Sequence, residues 1–421
     1  MRVLIIAHGH PALSAGGGER AAYSLFQHLK ARPKFADAHF AARAPHHLIG
    51  HDAQFGAFRG QRDELLVSVP EVDHFTYQTA NLNRLRKIIL GMLDYVRPDV
   101  VHVHHFVGFG LEIFRIIKEA GLPVIFTVHE YLLLCHHFGQ MVKTSGGLCQ
   151  VASPLECSQC FPERTPGLFF LRQEMMRDLL SYADALISPS RFLGERVAAW
   201  GFHQDAINVI ENPLSPDMLA AARRELAAGR GATRVGMQAR QLNLGFFGQI
   251  NPFKGIDVLL EALRILPPEI RSRVRLGLHG ANLEIQQESF QQRIRALLAE
   301  LAETVTSFGS YDNSQVVELM KSYDRIVVPS TWWENSPVVI QEAKLAGTPL
   351  LCSNLGGMAE KADGAEDILF LPRSPGSLTA EITALVSAPG RPTTDIAEHI
   401  ALHEEAVEMH VELYEEVCGA A

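Results

Sequence analysis

No run of 18 apolar residues occurs anywhere in the 421-residue chain, which argues against a membrane-spanning helix. An excess of positive charge is also missing. Forty-seven acidic residues against 38 basic ones leave a net charge of −9, the wrong sign for a nucleic-acid-binding protein. Cysteine is sparse, at six residues, too few for a disulfide scaffold and in keeping with a reducing compartment. The first residues, Met1-Arg-Val-Leu-Ile-Ile-Ala-His8, turn polar after a short apolar stretch and read as a strand rather than a secretion signal. The expectation is a cytoplasmic protein, with contact at the inner face of a membrane left open. Internal repeats and low-complexity tracts are absent too, so a solenoid or a disordered linker protein is excluded.

What is present suits two domains of about 200 residues each. Hydrophobic residues make up 47% and charged residues 20%, ordinary values for globular chains. The charge is uneven. Residues 1–212 hold 20 basic and 20 acidic side chains, leaving 18 and 27 for the rest, and they also hold 15 of the 19 histidines. Apolar runs with strand character alternate with helical patterns throughout, which predicts parallel sheets with right-handed crossovers. We expect one α/β domain over 1–212, a second over 241–395, and a terminal helix over 396–421, with residues 214–240 as the connection.

In the first half, Val3–Ala7 leads into a glycine loop, Gly16-Gly17-Gly18, and then a helix to about Lys30. Glycines between a first strand and a helix let backbone amides approach a phosphate or a sugar. Residues 36–80 predict one or two short strands. Asn83–Arg97 reads as a helix with basic residues near its start, packed on the sheet. The strand 98–105 ends in His102, His104 and His105. A metal site there has no accompanying carboxylate, so core or cleft-lining imidazoles are the better reading. The strand 123–129 places His129 at its C-terminal edge, where open α/β sheets bind ligands. Cys135, Cys149, Cys157 and Cys160 follow in one loop. Four cysteines ending in C-x2-C can hold a structural zinc, although the long first spacing is unlike a zinc ribbon, and free or redox-sensitive thiols are the alternative. A helix over 168–182, strands at 185–190 and 207–213, and a helix between them complete this half.

In the second half, Leu242–Gly248 predicts a strand followed by Gln249-Ile-Asn-Pro-Phe-Lys254-Gly255 and a helix. Lys254, just before a helix start, could pair with a diphosphate as a point charge. The densest motif runs from Pro329 to Gly357. A buried strand, 325–329, enters a loop with two tryptophans and Glu334. Ser336 is the expected N-cap and Pro337 the first helical residue, and Gly347 ends that helix. The amides of Asn335, Ser336, Val338 and Val339 would then form an anion site at the helix start. Glu334 and Glu342 flank it. Two carboxylates beside a phosphate site make sense if the ligand also brings hydroxyl groups, because a carboxylate accepts hydroxyl hydrogen bonds well. A nucleotide diphosphate sugar carries both.

Glu334 and Glu342 within P-S-x-x-x-E-x-x-P-x-x-x-x-E-A-x-x-x-G-x-P, followed by Gly356-Gly357, resemble the signature of the retaining glycosyltransferases of family four. The resemblance implies a GT-B fold, with two Rossmann-like parallel-sheet domains facing across a cleft and a C-terminal helix crossing back to the first. It implies transfer of a hexose-type sugar from a nucleotide diphosphate sugar, with retained configuration, to a saccharide or lipid-linked acceptor. By the same resemblance Glu342 holds the ribose, Glu334 the donor sugar and Lys254 the diphosphate. His129, within T-x-H-[DE]-Y-x-x-x-C, reaches the transferred sugar, and Gly16, Gly17 and Gly18 lie opposite the donor. The family's arginine before that lysine is Gln249 here, which removes one cation. No Asp-x-Asp stands where it could bind a divalent ion with the diphosphate, so no catalytic metal is expected. A catalytically degenerate sugar-nucleotide-binding subunit and a GT-B epimerase are the competing functions.

Overall fold

The structure is a computed structural model describing residues 1–14, 16–49, 54–202, 207–227, 241–387 and 395–419. The second part of the expected interdomain connection, 228–240, and the Pro/Gly/Thr-rich stretch before the last helix, 388–394, lie outside the described residues. The chain divides into two compact units, Met1–Pro216 with His403–Ala421, and Asp217–Leu402.

The first unit is built on eight strands: β1 (Val3–Ala7), β2 (His39–Arg43), β3 (Phe55–Phe58), β4 (Gln61–Val67), β5 (Val100–Val103), β6 (Val124–Thr127), β7 (Ala185–Ser188) and β8 (Ile207–Val209). Their order is β3-β4-β2-β1-β5-β6-β7-β8. All neighbours are parallel except β3 and β4. The central strands are buried along their whole length, which explains why they read as unbroken apolar runs. Residues 36–80 hold three strands rather than one or two. The extra pair is a hairpin that turns at Arg59 (φ 50°) and Gly60 (φ 81°). A two-residue turn of this kind needs positive φ at both positions, and arginine in the first is not a turn signal. The sequence also concealed two helices, Glu112–Glu119 and Pro154–Cys160.

The unit is completed from the far end of the chain. Val411, Leu413, Tyr414 and Val417, from the helix Ile396–Gly419, belong to the same core as Val3, Ile5 and Phe40. Arg32 bonds Glu408 through both terminal nitrogens, at 2.9 and 2.6 Å.

The second unit holds β9 (Leu242–Phe247), β10 (Val274–His279), β11 (Val305–Gly309), β12 (Arg325–Val328), β13 (Leu350–Ser353) and β14 (Ile368–Phe370). The order is β11-β10-β9-β12-β13-β14 and every pairing is parallel. Counted within the unit this is 3-2-1-4-5-6, so the strand order reverses between β9 and β12. In the first unit the corresponding reversal lies between β1 and β5. Crevices outside the carboxyl ends of such strand pairs are where open α/β sheets take ligands.

Candidate active site

In the second unit the loops that follow β9 and β12 are bonded to each other. Thr331 donates its N–H to the carbonyl of Phe253 at 2.8 Å and its hydroxyl to that of Pro252 at 3.0 Å. Gly255 makes the approach feasible. Its φ is +67°, and a Cβ there would stand 1.9 Å from the Pro329 carbonyl oxygen. Asn251 shapes the turn ahead of it, its Oδ1 accepting the N–H groups of Phe253 and Lys254, both at 3.0 Å.

This stitching delivers Lys254 to Glu334. The ammonium donates to Glu334 Oε1 at 2.5 Å, and Ser330 Oγ donates to the same oxygen at 2.9 Å. Glu334 is 6% exposed, so its charge is held by these donors rather than by bulk water. The lysine also lies 5.8 Å from the Trp332 ring centre. On its other side, the Glu334 carbonyl accepts the N–H of Gly357 at 3.0 Å. A Cβ on Gly357 would fall 1.5 Å from the Asn335 oxygen, so a glycine is needed there for close packing under the loop. Gln249 is exposed and its Oε1 accepts from Asn251 at 3.4 Å, at the rim of the same turn.

The helix after this loop runs Val338–Leu345, with Pro337 rather than Ser336 at the N-cap. Pro337 keeps an extended ψ of 121°, and its carbonyl accepts from Ile340 at 2.9 Å, so the helix starts one residue later than expected. Val338 and Val339 lie in the first turn, where an N–H has no intrahelical acceptor. Ser336 instead receives a 3.4 Å hydrogen bond from the Gln341 side chain. Glu342 stands one turn in and is 2% exposed. The helix stops as predicted at Gly347 (φ 69°), with Thr348 donating back to Ala343 and Gly347 to Lys344, each at 3.0 Å.

The first unit gathers a second constellation at the ends of β1, β5 and β6. Gly16 caps the helix Gly17–Lys30, and the carboxylate of Glu19 curls back over that start. Glu19 accepts from Ser14 Oγ at 2.6 Å and lies 3.1 Å from His8 Nε2. Burial alone would raise its pKa, but the hydrogen bond and charge of His8 and the bond from Ser14 outweigh it and bring the value down to about 2. A Cβ at Gly18 would sit 3.6 Å from the His129 ring, so the glycine loop and His129 are neighbours. His129 Nε2 meets His104 Nδ1 at 2.9 Å. Burial lowers the His129 pKa to about 3 and drives that of His104 well below the usual value, so both rings are neutral at pH 7. His102, fully buried, is bonded to the Tyr414 hydroxyl and to Thr127 Oγ1, each at 2.7 Å.

Sequence reasoning overlooked His8 and Glu130 as members of this cluster. Glu130 lies 3.3 Å from His105 Nε2, and the His105 ring is 4.4 Å from that of His8. Burial raises the Glu130 pKa to about 8 and lowers that of His105 to about 3, so at pH 7 the two meet as neutral acid and neutral imidazole. The available signal was the position of Glu130 directly after His129 at a strand end.

Among the described residues no group of three or more His, Cys, Asp or Glu is arranged to hold a metal ion, and all six cysteines are free thiols. No helix of the described residues is long and apolar enough to cross a membrane. A cavity of about 620 Å³ bounded by Asp73, Thr76, Gln78 and Arg164 contains none of the predicted site residues.

The profile described as glycosyl transferases group 1 matches residues 236–399, and that of glycosyltransferase family 4 matches residues 15–218. A D-inositol 3-phosphate glycosyltransferase of Stackebrandtia nassauensis is 27% identical over 279 residues, 65% of this chain and 56% of that protein. The chain thus spans little more than half of that relative. An uncharacterized 41.2 kDa protein from the cps region of Klebsiella pneumoniae is 23% identical over 295 residues, covering 69% of this chain and 70% of its own. Among solved structures, sucrose-phosphate synthase of Thermosynechococcus elongatus superimposes with a TM-score of 0.68 at 19% identity, over 100% of both chains. HepE of Anabaena in complex with UDP gives 0.65 at 18%, also over 100% of both chains. At these identities the structural likeness speaks to the fold.

Proposed function

The chain belongs to the glycosyltransferases of group 1 and family 4 and has their GT-B fold of two Rossmann-like units, and within that family we propose that it is a retaining hexosyltransferase. It moves a sugar from a nucleotide diphosphate donor to a hydroxyl of a saccharide or lipid-linked saccharide, in the assembly of a bacterial-type polysaccharide or glycolipid. The observation that carries this reading is the Lys254–Glu334 contact of 2.5 Å, set where the second sheet reverses its strand order and beside the start of the helix carrying Glu342.

The second unit holds the donor. Glu342 accepts hydroxyls of the ribose. The first-turn amides of Val338 and Val339, with those of Asn335 and Ser336, face the diphosphate together with Lys254, so that the charge developing on the leaving group is met by donors already in place. Lys254 then exchanges a carboxylate partner for phosphate oxygens, and Glu334 becomes available to accept hydroxyls of the donor sugar. Gln249 adds no charge, which leaves Lys254 as the cation of this turn. The first unit contributes His129, a neutral imidazole suited to hydrogen bonding with the transferred sugar, flanked by the Gly16–Gly18 loop.

A thermal-shift series with UDP, GDP, ADP and their common sugars, on the wild type and Glu342→Ala, tests the donor site. A ligand at 100 times its Kd stabilises the native state by about 2.7 kcal/mol. One nucleotide should raise the melting temperature of the wild type and lose that effect in the variant. If no nucleotide stabilises the wild type at millimolar concentrations, the donor-site reading fails.

A further inference from the structure

We propose that His104, a buried residue one position beyond β5, is a positioning residue that fixes the proton of His129 on Nδ1; the inference rests on the role given to His129 above. The two rings touch nitrogen to nitrogen, Nδ1 of His104 to Nε2 of His129 at 2.9 Å, and lie nearly parallel, 23° apart with centroids separated by 5.2 Å.

Both imidazoles are neutral, so one proton lies between these two nitrogens, and it belongs to one of them. If it belongs to His129 Nε2, then His104 must carry its own proton on Nε2. That nitrogen is buried and has no hydrogen-bond partner among the described residues, so the arrangement would strand an N–H donor away from water. If the proton belongs to His104 Nδ1, the stranded atom is a bare lone pair. Orphaned buried donors are the rarer and more costly of the two. The second arrangement therefore prevails. His104 donates, His129 accepts at Nε2, and His129 holds its proton on Nδ1.

The rest of the stack enforces this orientation. His102 lies 4.1 Å from His104, ring to ring, and is itself pinned at both nitrogens by Tyr414 and Thr127 at 2.7 Å. His104 therefore has little freedom to turn, and its Nδ1–H is aimed at one place. A neutral His129 with a defined donor nitrogen can hydrogen-bond an oxygen of the bound sugar without first rearranging its proton. A mixture of tautomers would waste a fraction of encounters, as a misassigned tautomer does in other imidazole-based sites.

Long-range proton–nitrogen NMR correlations on the full chain with ¹⁵N-labelled histidine read the tautomer directly, with His129→Gln identifying the signal. The wild type should show His129 as the Nδ1–H form. His104→Asn, which keeps an amide donor near the Nδ1 position, should preserve it. His104→Phe, which fills the space without a donor, should give a mixture. In parallel, nucleotide release is followed from UDP-glucose, or from whichever nucleotide sugar stabilises the wild type. His104→Phe should lower kcat about 10- to 100-fold, the range known for losing a group that orients a metal-ligating histidine. Its KM for the donor should stay within about threefold, and His104→Asn should recover most of the loss. If His104→Phe does not fold, His104→Gln replaces it, because its amide reaches the Nε2 position instead, and the Asn variant should be the more active of the two. An Nε2–H form of His129 in the wild type, or a folded His104→Phe with kcat within twofold of the wild type, overturns the proposal. Unchanged kcat in His129→Ala would instead remove the role given to His129, while the tautomer result would stand by itself.

Discussion

Acid should dismantle the first unit well before the second. In the folded chain, burial lowers the pKa of His102 and His104 well below the ordinary value and those of His105 and His129 to about 3. For a histidine with a lowered folded value, stability is fully present above the unfolded pKa of about 6.5. It is lost as the pH falls toward the folded value, because the unfolded chain takes up a proton that the native ring refuses. Glu130 acts in the opposite sense. With its folded value raised to about 8, it is protonated in the native state while the unfolded carboxyl has already ionised, and so offsets one proton between about pH 4.5 and 6.5. These four histidines less one carboxyl leave three protons, to which His410 and His136, both lowered to about 4, add. At ~1.4 kcal/mol per proton per pH unit the loss is at least ~4 kcal/mol for each unit between roughly pH 6 and 4.5. Typical domain stabilities of about 5–15 kcal/mol would be largely spent across that window. Hydrogen exchange read by mass spectrometry on peptides spanning β5 and β6, with β9 and β12 as the internal reference, measures the opening free energy of each unit separately. Among the described residues the second unit has two histidines with lowered values, His279 and His399, so its slope should be smaller. An opening free energy at β5 and β6 that falls by less than about 1 kcal/mol per pH unit, or in step with the second unit, refutes the argument. Replacing His104 by Phe should remove about one proton from the slope.

Lys254→Ala removes the cation proposed to meet the diphosphate and strips buried Glu334 of its ammonium; the Kd for the donor nucleotide by calorimetry should rise about 10- to 100-fold, the range of a charge-assisted hydrogen bond. Gly255→Ala places a methyl against the Pro329 carbonyl at a positive φ, and thermal melting should show the second unit destabilised by more than about 1 kcal/mol. Tyr414→Phe deletes the hydroxyl bonded to His102 and should lower the stability of the first unit by about 1–3 kcal/mol in urea titrations, while leaving donor affinity unchanged.

Much of the candidate site in the second unit was legible because its signals are local. Lys254, Glu334 and Glu342 stand in fixed spacing to a strand end, a proline and a glycine, and the structure puts Lys254 and Glu334 in contact. The helix start was misplaced by one residue because either Ser336 or Pro337 could serve as the cap, and only the ψ of Pro337 decides between them. The β3–β4 hairpin was hidden by Arg59, which takes a positive φ without the chemistry that announces it. The histidine stack was out of reach for a different reason. His104 and His129 are 25 residues apart and meet only because β5 and β6 are adjacent in a register that pairs His102 with Ile125. Tyr414 comes from the other end of the chain. Pairings of that kind depend on topology, and a strand of four apolar-looking residues does not disclose its neighbour.

The discontinuous make-up of the first unit has a consequence for synthesis. Its strands leave the ribosome before the second unit, yet the residues that cover β1 and receive His102 are translated after that unit. Until residues 403–419 emerge, Val3, Ile5 and the His102 ring lack their lid, so the earlier-made unit is the later one to become complete. The second unit has no such wait and can close on its own core while the nascent first unit is still open. Between those two moments the growing chain exposes an apolar seam of its own, the surface on which a holding chaperone would act.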